Sequence, residues 1–123
     1  MTDQPVLIQG IVSTSKYENN YAAALDKFGW LFEYQVSLFG GRNVLGGTVV
    51  DFIVYTVPLP TPVYVGALYW HSGQRAEREK VLFALIAARL RKYYQAPIEY
   101  ESEDVETKEA AERTVLRDFG RMG

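Results

Sequence analysis

The sequence predicts a mixed α/β (α+β) fold whose elements run helix, three strands, helix, short strand, helix. Three observations predict it. A helical apolar stripe (Tyr17, Tyr21, Ala24, Leu25, Phe28) opens the order. Strand-length apolar runs follow, separated by short connections, which implies an antiparallel meander. A long apolar helix then precedes one more short strand, which supplies a crossover and gives a central mixed sheet flanked by helices.

Pro5–Val12 is a short apolar segment, an edge strand or an N-terminal arm. Helix one starts at Ser15, because Ser15 and Glu18 have the Ser-x-x-Glu spacing of a capping box. Gly29 follows as its C′ residue. A strand spans Trp30–Leu38, Gly40-Gly41-Arg42-Asn43 turns, and a second strand lies within Gly46–Tyr55. Pro58-Leu59-Pro60-Thr61-Pro62 reads as a loop, since proline cannot donate to a ladder. Val63–Trp70 is a third strand, closed by His71-Ser72-Gly73. The longest helix spans Gln74–Tyr93, with a centre, Val81–Ala88, apolar almost all round. Such a helix is buried on more than one side or pairs with another protein or a second copy. Pro97 breaks the chain, Ile98–Tyr100 forms a short strand, and a last helix runs Glu103–Phe119 before Gly120. Its acidic start, and Arg113, Arg117 and Arg121 toward its end, suit the helix dipole.

At 123 residues the chain is expected to be one domain: 1–14 as arm or edge strand, 15–100 as core, 101–123 as C-terminal helix. A hydrophobic fraction of 48% and an aromatic fraction of 14% fit a packed core and exclude a disordered chain. With no cysteine, disulfides, thiolate zinc sites and cysteine nucleophiles are excluded. No apolar run could span a bilayer, and Met1-Thr2-Asp3-Gln4-Pro5 does not begin a signal peptide, so no membrane partner and a cytoplasmic location are expected. A net charge of −2 gives no global attraction to nucleic acid, so any polyanion site is a local patch.

The residue with the clearest chemical signal is Asp51. Strand alternation puts Val49, Asp51, Ile53 and Tyr55 on one face and Thr48, Val50, Phe52 and Val54 on the other. Both faces are apolar, as in a central strand covered on both sides. A carboxylate there is costly unless a metal, a base or several donors satisfy it. Its bland alternative is an acid paired with an arginine or bonded to turn amides.

The residues Lys16-Tyr17-Glu18 through Leu25, Gly29-Trp30, Phe32-Glu33-Tyr34-Gln35-Val36, Gly46-Gly47-x-Val49-Val50-Asp51-Phe52 and Tyr69-Trp70-His71 occur in a telling order. Together, over Ser15–Leu90, they resemble the PD-(D/E)XK, or restriction-endonuclease-like, nuclease superfamily. More narrowly they resemble its small Holliday-junction-resolvase-like proteins of phage and prophage genomes. The resemblance implies an αβββαβ core, Mg²⁺ or Mn²⁺, a DNA partner, phosphodiester cleavage, and a host cytoplasm or virion setting. In that superfamily a helix acid, a strand acid and an acid-x-lysine pair hold the ions that polarise the scissile phosphate. Glu18 and Asp51 fall at the first two positions. The acid-x-lysine positions hold Tyr64 and Gly66, which can do neither task. The site is therefore either degenerate or displaced. In a displaced site Glu77 or Glu79 reaches back as the metal ligand, Arg75, Arg78 or Lys80 replaces the lysine, and Gln35 orients a water. His71, the only histidine, also lies within the resemblance.

Each candidate has a bland reading beside the sharp one. Glu18 is explained by the capping box, and His71 by a turn packing on Trp70. Arg75, Arg78 and Lys80 make the long helix basic enough to meet DNA phosphates, or they form a solvated face with Glu77 and Glu79. A serine-hydrolase triad lacks the Gly-x-Ser-x-Gly elbow. Two main functions remain: a metal-dependent endonuclease, or a non-catalytic nuclease fold serving as a structural or assembly protein of a phage particle. A nucleic-acid-binding module without cleavage is a third.

Overall fold

The computed structural model describes residues 6–13, 15–38, 48–65, 84, 88 and 91–122. Its elements are β1 (Val6–Ile8), β2 (Ile11–Ser13), α1 (Lys16–Lys27), β3 (Phe32–Leu38), β4 (Thr48–Val54), β5 (Thr61–Tyr64), β6 (Ile98–Glu99), a 3₁₀ turn (Ser102–Asp104) and α2 (Lys108–Asp118). The mixed α/β class is as the sequence predicts. A four-stranded sheet runs in the order β3-β4-β5-β6, antiparallel except for the parallel pair β5–β6.

The N-terminal segment resolves into a hairpin, β1 against β2, turned at Gln9 and Gly10. Both turn residues have positive φ, 51° and 83°, which matches the twist of a two-residue hairpin turn. Helix α1 begins where the cap predicts: Ser15 Oγ accepts the Glu18 N–H at 3.3 Å. It ends in a Schellman motif. Gly29 (φ 84°) donates to the Asp26 carbonyl and Trp30 to the Leu25 carbonyl, so two carbonyls of the last turn are satisfied.

Strand β3 begins at Phe32 and β6 ends at Glu99, one or two residues inside the expected spans, and two further boundaries differ for a physical reason. Thr61 and Pro62 belong to β5 and not to a loop. The Pro60 and Tyr64 carbonyls accept from Gln95 and Tyr100, so Pro62, of the same parity, turns its nitrogen toward β6. Pairing with β6 begins only at Val63, so the missing N–H costs that ladder nothing. The last helix begins at Lys108 rather than Glu103. Glu101 and Asp104 close a reciprocal capping box around the 3₁₀ turn, and Thr107 Oγ1 then caps α2 by accepting the Ala110 N–H at 3.0 Å. Gly120 (φ 74°) stops α2 as predicted. Of the expected long helix only Ala84 and Ala88 are described. Both are helical and exposed, and residues 91–93 already form a turn.

The main core lies between the sheet and the two helices. Tyr21, Ala24 and Leu25 of α1 and Ala111 and Val115 of α2 meet Phe32, Tyr34, Phe52, Val54 and Val63. Phe52 is its centre, with Tyr21, Phe32 and Tyr34 rings at centroid distances of 5.2, 5.5 and 5.2 Å. Tilted and edge-on rings at this spacing suit the aromatic quadrupole. The C-terminal segment is tied back to α1 and the chain after it: Asn20 Nδ2 donates to the Val105 carbonyl, Trp30 Nε1 to the Gly120 carbonyl, and the Met122 N–H to the Phe28 carbonyl. Surface ion pairs Lys16–Glu106 and Lys27–Glu112 span the same seam, where solvent screening leaves them little weight.

Candidate functional site

The sheet is irregular where the candidates meet. The β3–β4 ladder pairs Tyr34 with Phe52 and then Val36 with Val50, stepping over Gln35 and Asp51. Gln35 has a φ of 53°, in the left-handed region that glycine favours. One such residue reverses the pleat. Phe32 and Tyr34 pack toward the helices, whereas Val36 joins Val50, Ile53 and Tyr64 on the opposite face. The simple alternation expected of β4 therefore fails at Asp51: Val50 packs with Ile53, not with Phe52 and Val54. Backbone strain of this kind is held in place by its surroundings and gathers at functional sites.

Asp51 is half-buried. Its Oδ2 accepts the backbone N–H of Val65 at 3.0 Å, just past the last β4–β5 pair, Phe52 with Val63. The carboxylate thus satisfies an amide where the two strands cease to pair. Glu18, in the first turn of α1, uses its backbone N–H for the cap and its carboxylate for a tertiary contact. The Tyr34 hydroxyl donates to Glu18 Oε1 at 2.5 Å. Gln35 Nε2 donates to the same hydroxyl at 3.3 Å. Burial, then the Glu18 hydrogen bond, and further the negative charges of Glu18 and Asp51, push the Tyr34 phenol up to about 12. Glu18 and Gln35, from a helix and a strand, therefore meet at one phenol, which also feels the more distant charge of Asp51.

Tyr34 is held from both ends. Its ring packs on Phe52, and its backbone N–H donates to Gln9 Oε1 at 3.1 Å. Gln9 Nε2 also donates to the Phe32 carbonyl. The Gln9 side chain thus occupies two ladder groups on the outer edge of β3, where an incoming strand would otherwise pair.

The remaining candidates divide simply. Tyr64, at the expected acid position, is a buried core residue packed with Val50 and Ile53. His71, Arg75, Glu77, Arg78, Glu79, Lys80 and Gly66 lie outside the described residues. Among the described residues no three histidine, aspartate or glutamate side chains converge as a metal-binding group. No helix among them is long and apolar enough to cross a membrane. A cleft of about 490 Å³ beyond the end of β4 is lined by Trp30, Thr61, Gln95, Asp118 and Phe119, among others, and by none of the candidates.

The residue missed by the sequence reading is Tyr34. Its inward position in Phe32-Glu33-Tyr34-Gln35-Val36 was legible, and a buried phenol needs a hydrogen-bond partner. That the partner is Glu18 depends on how α1 crosses β3. Comparison with protein-family models, with curated proteins and with solved structures gave no match.

Proposed function

We propose that this chain is a nuclease-fold protein that binds a divalent cation between Glu18 and Asp51 and acts on DNA phosphodiesters in the manner of resolvase-like endonucleases. The observation that carries the reading is the half-buried carboxylate of Asp51 in an apolar strand, at the point where the β3–β4 ladder steps over Gln35, the residue that shares the Tyr34 hydroxyl with Glu18. Hard oxygen donors of this type suit Mg²⁺ or Mn²⁺, which one or two carboxylates plus substrate phosphates commonly hold. Bound there, the ion would supply Lewis-acid polarisation of a phosphate. The protein's own contributions are Asp51 as principal ligand, Glu18 as second ligand and the Gln35 amide as a donor or acceptor for water. Residues 71–80 supply the proposed remainder: His71, Glu77 as displaced ligand, and Arg75, Arg78 and Lys80 as phosphate contacts.

The test is calorimetric titration of Mn²⁺ into the wild type and Asp51→Asn, followed by incubation with branched, single- and double-stranded DNA. Saturable binding lost in the variant, together with cleavage by the wild type, is the expected outcome. No binding by either protein defeats the reading.

One observation favours a second reading, a nuclease fold without catalysis that serves in assembly, as in a phage particle. Tyr64 is sealed in the core where an acidic ligand would stand. This reading expects a stable homo-oligomer or partner complex that Asp51→Asn leaves intact.

A further inference from the structure

We infer that the cleft beyond the end of β4 is a binding site for an alkylammonium group, with Asp118 as its charged acceptor and the Trp30 and Phe119 rings as the wall for the alkyl chain. The inference is independent of the function proposed above, since none of the residues named there lines this cleft. At about 490 Å³ the cleft is of the size that holds small molecules. Separate parts of the chain build it. Trp30 precedes β3, Thr56 follows β4, Thr61 opens β5, and Asp118 and Phe119 lie at the end of α2. Trp30 Nε1 donates to the Gly120 carbonyl at 2.8 Å. The indole N–H is thereby engaged, and the ring, 5.7 Å from that of Phe119, has only apolar surface left to offer.

Hydrogen-bond capacity gives the chemistry of the ligand. Thr56 has one hydroxyl proton, and the Leu59 carbonyl 2.7 Å away takes it. Thr61 Oγ1, 2.7 Å from Thr56 Oγ1, is then the donor between the two, so both hydroxyls keep lone pairs and neither keeps a proton for a ligand. Asp118 is also an acceptor. Burial works against its charge, yet hydrogen bonds from Arg117 and Tyr100 hold its carboxyl below the usual carboxylate range. Its Oδ2 accepts from Tyr100 and Arg117, whereas Oδ1 accepts from Arg117 alone. A carboxylate offers about four acceptor positions, so one stays open on Oδ1. Among the described residues the cleft is lined by no lysine, arginine or histidine. Arg117 stands outside it with a side chain 58% exposed, so water screens its charge. A wall of acceptors around one carboxylate disfavours anions and suits a charged N–H donor. The C-terminal end of α2 adds partial negative charge, and aromatic rings attract an ammonium. A free amine and a lysine side chain both carry this group.

The experiment is an NMR titration of the whole chain at neutral pH with n-butylamine, with Nα-acetyl-lysine methylamide and with 1-butanol. Saturable shifts of the Trp30 indole N–H and the Thr61 amide are expected with the amines and not with the alcohol. Asp118→Asn should weaken amine binding about 10–100-fold, the weight of a hydrogen bond to a charged group. Both amines test the same site: tighter binding of n-butylamine supports it with a free amine as the source, and tighter binding of the lysine derivative supports it with a protein side chain as the source. No saturable shift with either amine overturns the inference. So does 1-butanol binding as tightly as n-butylamine, which would show an apolar cleft without selection for charge, and so does unchanged affinity in Asp118→Asn. Should Asp118→Asn not fold, the comparison of amine with alcohol on the wild type decides, since the two probes differ chiefly in the charged donor.

Discussion

The two halves of the β3–β4 ladder are built differently. From Phe32 to Tyr34 against Phe52 to Val54 the pairing is regular, and Phe32, Tyr34, Phe52 and Val54 are buried against the helices. From Gln35 and Asp51 onward the ladder steps over a pair, the pleat reverses and a carboxylate enters. The regular half puts its side chains to use in burial. The irregular half gives up local regularity where Gln35 reaches the phenol that holds Glu18 and where Asp51 takes the Val65 amide. The strained residue is held by the aromatic packing beside it, since Gln35 bonds the hydroxyl of Tyr34, whose ring packs on Phe52.

The largest effect is expected from Phe52→Ala. It removes the ring that Tyr21, Phe32 and Tyr34 share and is expected to cost about 3–5 kcal/mol of folding stability, read from urea unfolding. A smaller effect comes from alkaline pH. Tyr21 and Tyr100 are raised chiefly by burial, and Tyr34 is raised to about 12. The unfolded chain releases these phenolic protons near pH 10, before the folded protein does. Stability is therefore full below about pH 10 and declines as pH rises toward 12. Urea midpoints at a series of alkaline pH values should fall, less steeply in Tyr34→Phe. A flat profile would mean that these hydroxyls are not buried as described.

The smallest effect is expected from glycine substitutions in the two halves of β3. Glycine in a regular strand costs about 0.5–1 kcal/mol, so Glu33→Gly, in the regular half, should be destabilising. At Gln35, with φ 53°, glycine relieves the left-handed strain and should be neutral within about 0.5 kcal/mol. Equal costs at the two positions would show that Gln35 is not strained in solution.

Much of the local structure was legible in the chain. Ser15, Gly29 and Gly120 mark helix ends through groups a few residues away, so the signal is local and the structure keeps all three. The apolar stripe of α1 and the meander followed by a parallel strand were equally readable, because burial periodicity and connection length constrain them directly. Errors arose where a distant partner outweighed the local rule. Pro62 looked like a loop residue until β6 was found to leave its nitrogen side unpaired. Glu18 looked complete as a capping residue, yet its carboxylate is taken by a tyrosine 16 positions on.

Local sequence signals were enough for the mixed α/β class, the cap and stop of α1, the stop of α2 and the isolation of one acid in an apolar strand. Tertiary packing alone puts Asp51 at a pleat reversal beside the strained Gln35 and joins Gln35 to Glu18 through the Tyr34 hydroxyl. The reason is physical. Propensity and periodicity act over one or two turns of chain, whereas the direction of a buried polar side chain is set by whichever donor or acceptor the packing of other elements brings within reach.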